Sequence, residues 1–404
     1  MEYSSIESAI NDIRDGKIVI VVDDEDRENE GDFIMAAEKC TPEAMNIMIK
    51  FGSGFVCAPT TPAKLSALEI PMMVERNSSR LGTAMTVTID AKQGTTTGVS
   101  AFDRATTIQK MTEKNVKPSD FNRPGHIVPL RAEEGGVLKR AGHTEATVDL
   151  CQLAGLQPVG VLAEVMSEDG SMAQTPELFQ IAERFGMKMI TIADLIKHRR
   201  RTERLIHRVA TITLPTEKYG DFTVHAYEAD VEPHHALAIV KGEVKGGEPT
   251  LVRVHSSCVT GDLMDSLRCD CGSQLHLALQ MIADEGRGAL IYLEQEGRGI
   301  GLINKIRAYA LQEQGADTVE ANVMLGFKPD LRDYGIGAQI MVDLGIKQIR
   351  FMTNNPQKVA GLEGYGLEIA DWVSLPVEAN PYNVRYLQTK AEKMGHRLRL
   401  EQID

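Results

Sequence analysis

Short apolar runs, each about the length of one strand, alternate irregularly with stretches of helical spacing through both halves of this sequence. That pattern confines the chain to mixed helix–sheet architectures. Lys17 to Val22 (KIVIVV), Ala84 to Ile89 and Val159 to Val165 read as strands in the first half, and Thr250 to Val254 and Ala289 to Leu293 in the second. Gln274 to Glu285 and Ile300 to Gln314 carry apolar residues at helical spacing, with Gly286 as a C-cap. The expected class is α+β, with two mixed α/β domains in tandem rather than one long doubly wound sheet. At 404 residues the chain exceeds one ordinary core. Its best division is the basic stretch Lys197 to Arg204 (KHRRRTER), read as a solvated helix end or linker. A strand-then-helix pattern at Met187 to Ile196 precedes it, and a strand at Val209 to Pro215 follows. The expected domains are residues 1–199 and 200–404, each with its own active site.

No apolar stretch approaches the ~18 residues that cross a bilayer, and Met1 to Lys17 lacks a signal-peptide core, so a cytoplasmic protein with no membrane partner is expected. A formal net charge of −13 argues against general nucleic-acid binding, while local arginines can still recognise phosphates. The P-loop pattern G-x4-G-K-[ST] is absent from the sequence, which excludes a GTPase of that type.

The strand KIVIVV runs straight into Asp23-Asp24-Glu25-Asp26-Arg27-Glu28-Asn29-Glu30-Gly31-Asp32. Carboxylates this close repel one another unless a cation sits among them. The run is either a solvated surface loop or a set of hard oxygen ligands suited to Mg²⁺. Two turns share a pattern: Arg123-Pro124-Gly125-His126 and Arg140-Ala141-Gly142-His143. Glycine admits a close ligand, and each histidine can serve as ligand or proton carrier.

With DDEDRENEGD, the segments TAMTVTID and TTTGVSAFDRATTI, RPGHIVPL and KRAGHTEA, residues 1 to about 199 resemble 3,4-dihydroxy-2-butanone 4-phosphate synthase. The resemblance implies conversion of ribulose 5-phosphate to 3,4-dihydroxy-2-butanone 4-phosphate with loss of formate. It implies Mg²⁺ (or Mn²⁺) at Glu28 and His143, and substrate contacts from Arg27, Glu28, Asp32, Arg140, Ala141, Gly142, His143, Thr144 and Glu164. It also implies essential roles for His126 and Glu164. The stretch VGVLAEVM places Glu164 in apolar surroundings. Cys57 is read as a site neighbour or a merely buried thiol, and Cys40 and Cys151 as structural.

In the second half Cys258, Cys269 and Cys271 form C-x10-C-x-C. A structural zinc site closes with four protein ligands, and His255 or His276 could complete the set. Three ligands with an open position are instead the catalytic arrangement. The sequence Glu-Gly-Arg-Gly at 296–299 follows an apolar strand and precedes a helix, the order of a phosphate cradle.

RVHSSCVTGD, RCDCGSQL, QEGRGIGL, DLRDYGIGAQI and the run Met352 to Lys358 make residues 205 to about 400 similar to GTP cyclohydrolase II. The order of the two halves resembles that of bifunctional proteins supplying both precursors of riboflavin. The resemblance implies Zn²⁺ at Cys258, Cys269 and Cys271, opening of the GTP imidazole ring with loss of formate, and release of pyrophosphate. It implies GTP contacts from Arg253, Val254, His255, Ser256, Ser257, Gln274, Glu296, Gly297, Arg298, Thr318, Thr353 and Lys358. Asp330 matches the proton acceptor, Arg332 the residue assigned as nucleophile, and Tyr309 a further active-site residue. A guanidinium has no lone pair to offer, so stabilising phosphoryl charge is the physical role for Arg332. Leu302, Ile306 and Tyr309 share a helical face and would also suit a core. Ser257 stands where the family commonly has Glu, which removes a charge beside the thiols. A homodimer is implied.

Overall fold

The structure, a computed structural model, describes residues 2–24, 27–79, 81–230, 235–327, 334–355, 362, 365–376 and 379–394, with 391–394 described in their main chain only. The chain divides into two compact units, Met1–Thr202 and Glu203–Asp404. None of the described helices is long and apolar enough to cross a membrane.

The first unit runs α1 (Ile6–Arg14), β1 (Val19–Val22), β2 (Gly31–Ala36), α2 (Pro42–Phe51), β3 (Cys57–Thr60), α3 (Pro62–Ala67), β4 (Ile89–Ala91), α4 (Ala101–Thr112), β5 (Phe121–Arg131), α5 (His143–Leu153), β6 (Gly160–Glu164), α6 (Thr175–Phe185), β7 (Lys188–Thr191) and α7 (Ile192–Thr202). Its mixed sheet has the order β4-β5-β3-β6-β2-β1-β7. Successive side chains of a strand take opposite faces, so Ile18, Ile20 and Val22 enter one core while Val19 and Val21 enter another. Two buried faces explain why KIVIVV is apolar without alternation. Helices α1, α2 and α4 begin at Ser5, Thr41 and Ser100, whose hydroxyls accept a first-turn N–H.

One expectation needs correction here. Residues 84–88 form only isolated bridges, Met85 with Leu130 and Thr86 with Met72, and the strand begins at Ile89. Pro129 lies opposite this stretch and has no N–H to donate, so Thr86 bonds its carbonyl and a regular ladder cannot form. Of the two readings of the basic stretch, helix end or linker, the helix end holds, and it is not wholly solvated. Helix α7 continues to Thr202, and Arg199 donates from Nη1 to Asp149 Oδ2 (2.8 Å) and to the Gly135 carbonyl (2.9 Å). The expected division after residue 199 therefore falls within α7.

The second unit runs β8 (Ile206–Thr216), β9 (Gly220–Ala229), β10 (His235–Lys241), β11 (Thr250–Ser256), α8 (Val259–Asp262), α9 (Cys271–Glu285), β12 (Gly288–Leu293), α10 (Gly301–Glu313), α11 (Thr318–Met324), α12 (Gly335–Asp343), β13 (Gln348–Met352), β14 (Glu368–Val373) and α13 (Val384–Met394). The sheet order is β14-β13-β11-β12-β10-β9-β8. Strands β12, β11, β13 and β14 are mutually parallel, and β10, β9 and β8 continue antiparallel. Gly286, at φ 72°, caps α9 in the left-handed region where glycine is unstrained. Edge strand β8 is exposed along nearly its whole length. It is pinned by Asp343 of α12, whose carboxylate accepts from Arg208 of β8, Tyr227 of β9 and Arg204.

Candidate active sites

In the first unit, antiparallel pairing of β2 with both β1 and β6 brings three strand ends to one edge of the sheet. The acidic run leaves β1 there, Asp32 lies near the start of β2, and Glu164 ends β6 opposite Asp32. His143 is the first residue of α5; it is buried, with Nε2 3.1 Å from the Val21 carbonyl oxygen. A carbonyl only accepts, so Nε2 carries the proton. Nδ1 then faces the acids, 3.5 Å from Glu28 Oε2 and 3.8 Å from Asp32 Oδ2.

Asp23 shapes the loop by accepting from the Glu28 N–H (3.0 Å), the Glu30 N–H (2.9 Å) and Arg27 Nη1 (2.9 Å). Ligand atoms of Asp23, Glu28 and His143 lie within 4.8 Å of one another. Burial pushes the Asp32 carboxyl up to about 7, helped by Glu164, Glu28 and Glu30 and opposed by His143. Burial works against charge on His143, but Asp32, Glu28 and Asp23 outweigh it and raise the imidazole to about 9. Several carboxylates around one imidazole leave an excess of negative charge that a hard dication would neutralise.

Arg27, Glu28, Asp32, Arg140, His143, Thr144 and Glu164 line one pocket, while Ala141 and Gly142 form the turn beside it. Glu164 is not in apolar surroundings: it is the last residue of β6, at the open edge, and is exposed. Cys57 lines the pocket, and burial, then Asp32 and Glu164, push its thiol far up, so it stays protonated. Cys40 and Cys151 are fully buried with thiols raised to about 12 by burial. The two Arg-x-Gly-His turns do not share this pocket. His126 lies outside it, with Nδ1 2.7 Å from Asp90 Oδ2 and its N–H donating to Asp90 Oδ1 at 2.9 Å. A side chain at Gly125 would meet the Ile89 carbonyl carbon at 2.0 Å and the Asp90 nitrogen at 2.3 Å, so the turn requires glycine.

In the second unit the parallel strands β11, β12 and β13 end at Ser256, Leu293 and Met352 along one edge, where open α/β sheets place their ligands. Cys258 follows β11, and Cys269 and Cys271 meet it from the start of α9. Their sulfurs lie within 4.8 Å of one another, Cys258 to Cys269 at 3.7 Å. The edge of a tetrahedron with metal–sulfur bonds of ~2.3 Å is ~3.8 Å. A side chain at Gly261 would meet Cys269 Sγ at 2.9 Å and Cys258 Sγ at 3.1 Å, filling the cradle. Donation from Cys269 and Cys271, and after burial from Lys305, holds Cys258 as the thiolate, whereas Cys269 is raised to about 11 by Cys258. A dication is what allows all three sulfurs to be thiolates.

Neither histidine completes a four-ligand set. His255 Nε2 lies 3.1 Å from both Asp262 carboxylate oxygens, and His276 pairs with Tyr219 at 3.0 Å. Among the described residues the cluster consists of three thiols, open to a pocket. Arg253, His255, Ser256, Ser257, Gln274, Glu296, Gly297, Arg298, Tyr309, Thr318 and Thr353 all line it. Val254 does not: two-residue alternation turns it into the core with Val252. Asp330, Arg332 and Lys358 lie outside the described residues. Leu302 and Ile306 are exposed, so the face they share with Tyr309 is no core. Arg298 takes φ 62° in the strand-to-helix turn, and its buried Nη1 and Nη2 have no hydrogen-bond partner among the described residues. The Ser256 and Ser257 hydroxyls are likewise buried without one.

Sequence reading missed Lys305, Tyr386 and Lys390, which also line this pocket. Lys305 donates to Cys258 Sγ (3.0 Å) and Glu296 Oε1 (2.7 Å), and Glu296 Oε2 accepts the Val259 N–H (2.6 Å). Its spacing of four from Tyr309 on α10 was the available signal.

A family model for 3,4-dihydroxy-2-butanone 4-phosphate synthase matches residues 7–198, and one for GTP cyclohydrolase II matches residues 207–374. The riboflavin biosynthesis protein RibBA of Aquifex aeolicus is 56% identical over 398 residues, 98% of each chain. That of Phocaeicola vulgatus is 54% identical over 398 residues, again 98% of each chain. A crystal structure of RibBX, a two-domain 3,4-dihydroxy-2-butanone 4-phosphate synthase from A. baumannii, superposes with a TM-score of 0.69 at 37% identity, covering 92% of this chain and 99% of that one. This chain belongs to the RibBA family of bifunctional riboflavin biosynthesis enzymes, joining a 3,4-dihydroxy-2-butanone 4-phosphate synthase (a lyase) to a GTP cyclohydrolase II (a hydrolase).

Proposed function

We propose that each reaction takes place at the pocket described for its unit, so that the two units are the two catalytic domains. The first converts ribulose 5-phosphate to 3,4-dihydroxy-2-butanone 4-phosphate and formate. The second hydrolyses GTP to 2,5-diamino-6-ribosylamino-4(3H)-pyrimidinone 5′-phosphate, formate and pyrophosphate. The observation that carries this reading is a complete donor set at the open sheet edge of each unit, acids with an imidazole in one and three thiols in the other.

In the first pocket Glu28 and His143 would hold Mg²⁺ (or Mn²⁺), a hard cation that supplies charge stabilisation for enediolate oxygens. The start of α5, whose N-cap Gly142 offers no side-chain cap, leaves N–H groups beside Arg140 and Thr144 for the sugar phosphate. Asp32, buried and lining the pocket, is positioned for proton exchange with the substrate, with Glu164 across the strand pair as its counterpart.

In the second pocket Cys258, Cys269 and Cys271 would hold Zn²⁺, whose open position supplies an acidified water. The Arg298 guanidinium, whose Nη1 and Nη2 make no hydrogen bond among the described residues, and Arg253 bind the triphosphate, and the Ser256 and Ser257 hydroxyls take up nucleotide hydrogen bonds. Proton acceptance by Asp330, charge stabilisation by Arg332 and binding by Lys358 rest on the family resemblance. A cytoplasmic homodimer belongs to the same reading, supported by an exposed His126 that is oriented by Asp90 and lies outside its own chain's pocket, where it would serve a second copy.

Formate release by the full chain, with GTP plus Zn²⁺ and separately with ribulose 5-phosphate plus Mg²⁺, tests the assignment. Cys269→Ser is expected to silence only the first assay and His143→Ala only the second. Silence of both substrates in either variant, or GTP turnover that survives Cys269→Ser, would sink it.

A further inference from the structure

The match to GTP cyclohydrolase II ends at residue 374, yet α13, beginning at Val384, puts Tyr386 and Lys390 into the pocket lining. Lys390 starts a chain of buried polar contacts. Its Nζ donates to Asp270 Oδ1 at 2.6 Å, and Asp270 Oδ2 accepts from Gln274 Nε2 at 2.7 Å. Gln274 Oε1 then accepts from Arg253 Nη2 at 2.6 Å, and Arg253 Nη1 donates to the Met352 carbonyl at 2.9 Å. Lys390, Asp270, Gln274 and Arg253 are all at least nine-tenths buried. Asp270 sits between Cys269 and Cys271, so whatever holds its carboxylate also holds the two thiols on either side.

We propose that α13 is a positioning element of the cyclohydrolase site, in which Lys390 sets the Cys269–Asp270–Cys271 knuckle and, through Gln274, the guanidinium of Arg253. A buried carboxylate has few ways to satisfy both oxygens, and here one is taken by the ammonium and the other by the Gln274 amide. Losing the ammonium frees Asp270 to turn, and both the thiol geometry and the Arg253 orientation follow it. Tyr386, one helical turn before Lys390, packs its ring against the ammonium (4.5 Å to the centroid) and faces Arg298 (5.9 Å), which holds the lysine over the knuckle.

The proposal rests on the reading that the three thiols hold zinc. Its test uses the full-length, zinc-loaded chain and compares wild type with Lys390→Met and Lys390→Arg. The readouts are zinc transfer to a chromogenic chelator, kcat and KM for GTP, and formate from ribulose 5-phosphate as an internal control. Lys390→Met is expected to speed zinc release about 10- to 100-fold and to lower kcat for GTP by a similar factor. Ribulose 5-phosphate turnover is expected to stay unchanged, and Lys390→Arg to recover most of the zinc retention. Lys390→Gln, which keeps a donor without the charge, stands in should Lys390→Met not fold. Zinc release and GTP parameters within about twofold of wild type in these variants, even with a lower melting temperature, would mean a mere staple and overturn the proposal. A wild-type chain that holds no zinc at these thiols would overturn the underlying reading instead, and the coupling with it.

Discussion

Lys305 shows how little a residue's type says before its neighbours are known. Burial opposes its charge, yet Glu296 and the Cys258 thiolate hold the ammonium well above the usual lysine range. A cation against one of three thiolates offsets negative charge that would otherwise weaken the pull of a bound metal on water. Lys305→Met is therefore expected to lower kcat/KM for GTP about 10- to 100-fold while ribulose 5-phosphate turnover stays level; equal GTP kinetics would show the contact to be incidental. The thiols were legible in the sequence because three cysteines spaced C-x10-C-x-C match a metal-ligand pattern. Lys305 and Lys390 were not, because a lysine on a helix reads as a solvated face until a buried carboxylate is placed opposite. The side chain of Val254 turns into the core for the converse reason, since a contiguous motif crosses both faces of a strand.

Among the elements, edge strand β8 buries only Ile206 along its length and is anchored by polar contacts. Burial alone would raise the Asp343 carboxyl, but Tyr227, Arg208 and Arg204 hold it below the usual carboxylate range. A depressed carboxyl stabilises the fold above its unfolded value of ~3.9 and loses that contribution as pH falls through the folded one. Asp343→Asn is expected to cost about 1–3 kcal/mol at pH 7, with the gap to wild type closing below pH ~4, by urea unfolding followed over a pH series. A gap independent of pH would mean that packing rather than charge pins the strand. Strand β1 and helices α9 and α10 were legible because their apolar spacing is decided locally. The stretch 84–88 was not, because its failure to form a ladder depends on Pro129, some forty residues away in sequence.

For the whole molecule, the proposed homodimer, in which the first site would draw His126 from a second copy, makes a distinct prediction. His126→Ala and Glu28→Gln chains, each inactive on ribulose 5-phosphate alone, are expected to recover about a quarter of wild-type formate release when unfolded and refolded together. Half of the random dimers are then mixed, and one of their two sites is intact. No recovery would make each pocket self-sufficient. The sheet orders carry a further consequence, for synthesis on the ribosome. Strand β1 pairs with β7, so the first sheet closes its ladder only once residue 191 has emerged, almost at the end of its unit. From there every strand it needs is present, while the remaining two hundred or so residues take about 10–40 s to translate at ~5–20 residues per second. The nascent chain thus has time to close the sheet of its first unit while most of the second is still being made.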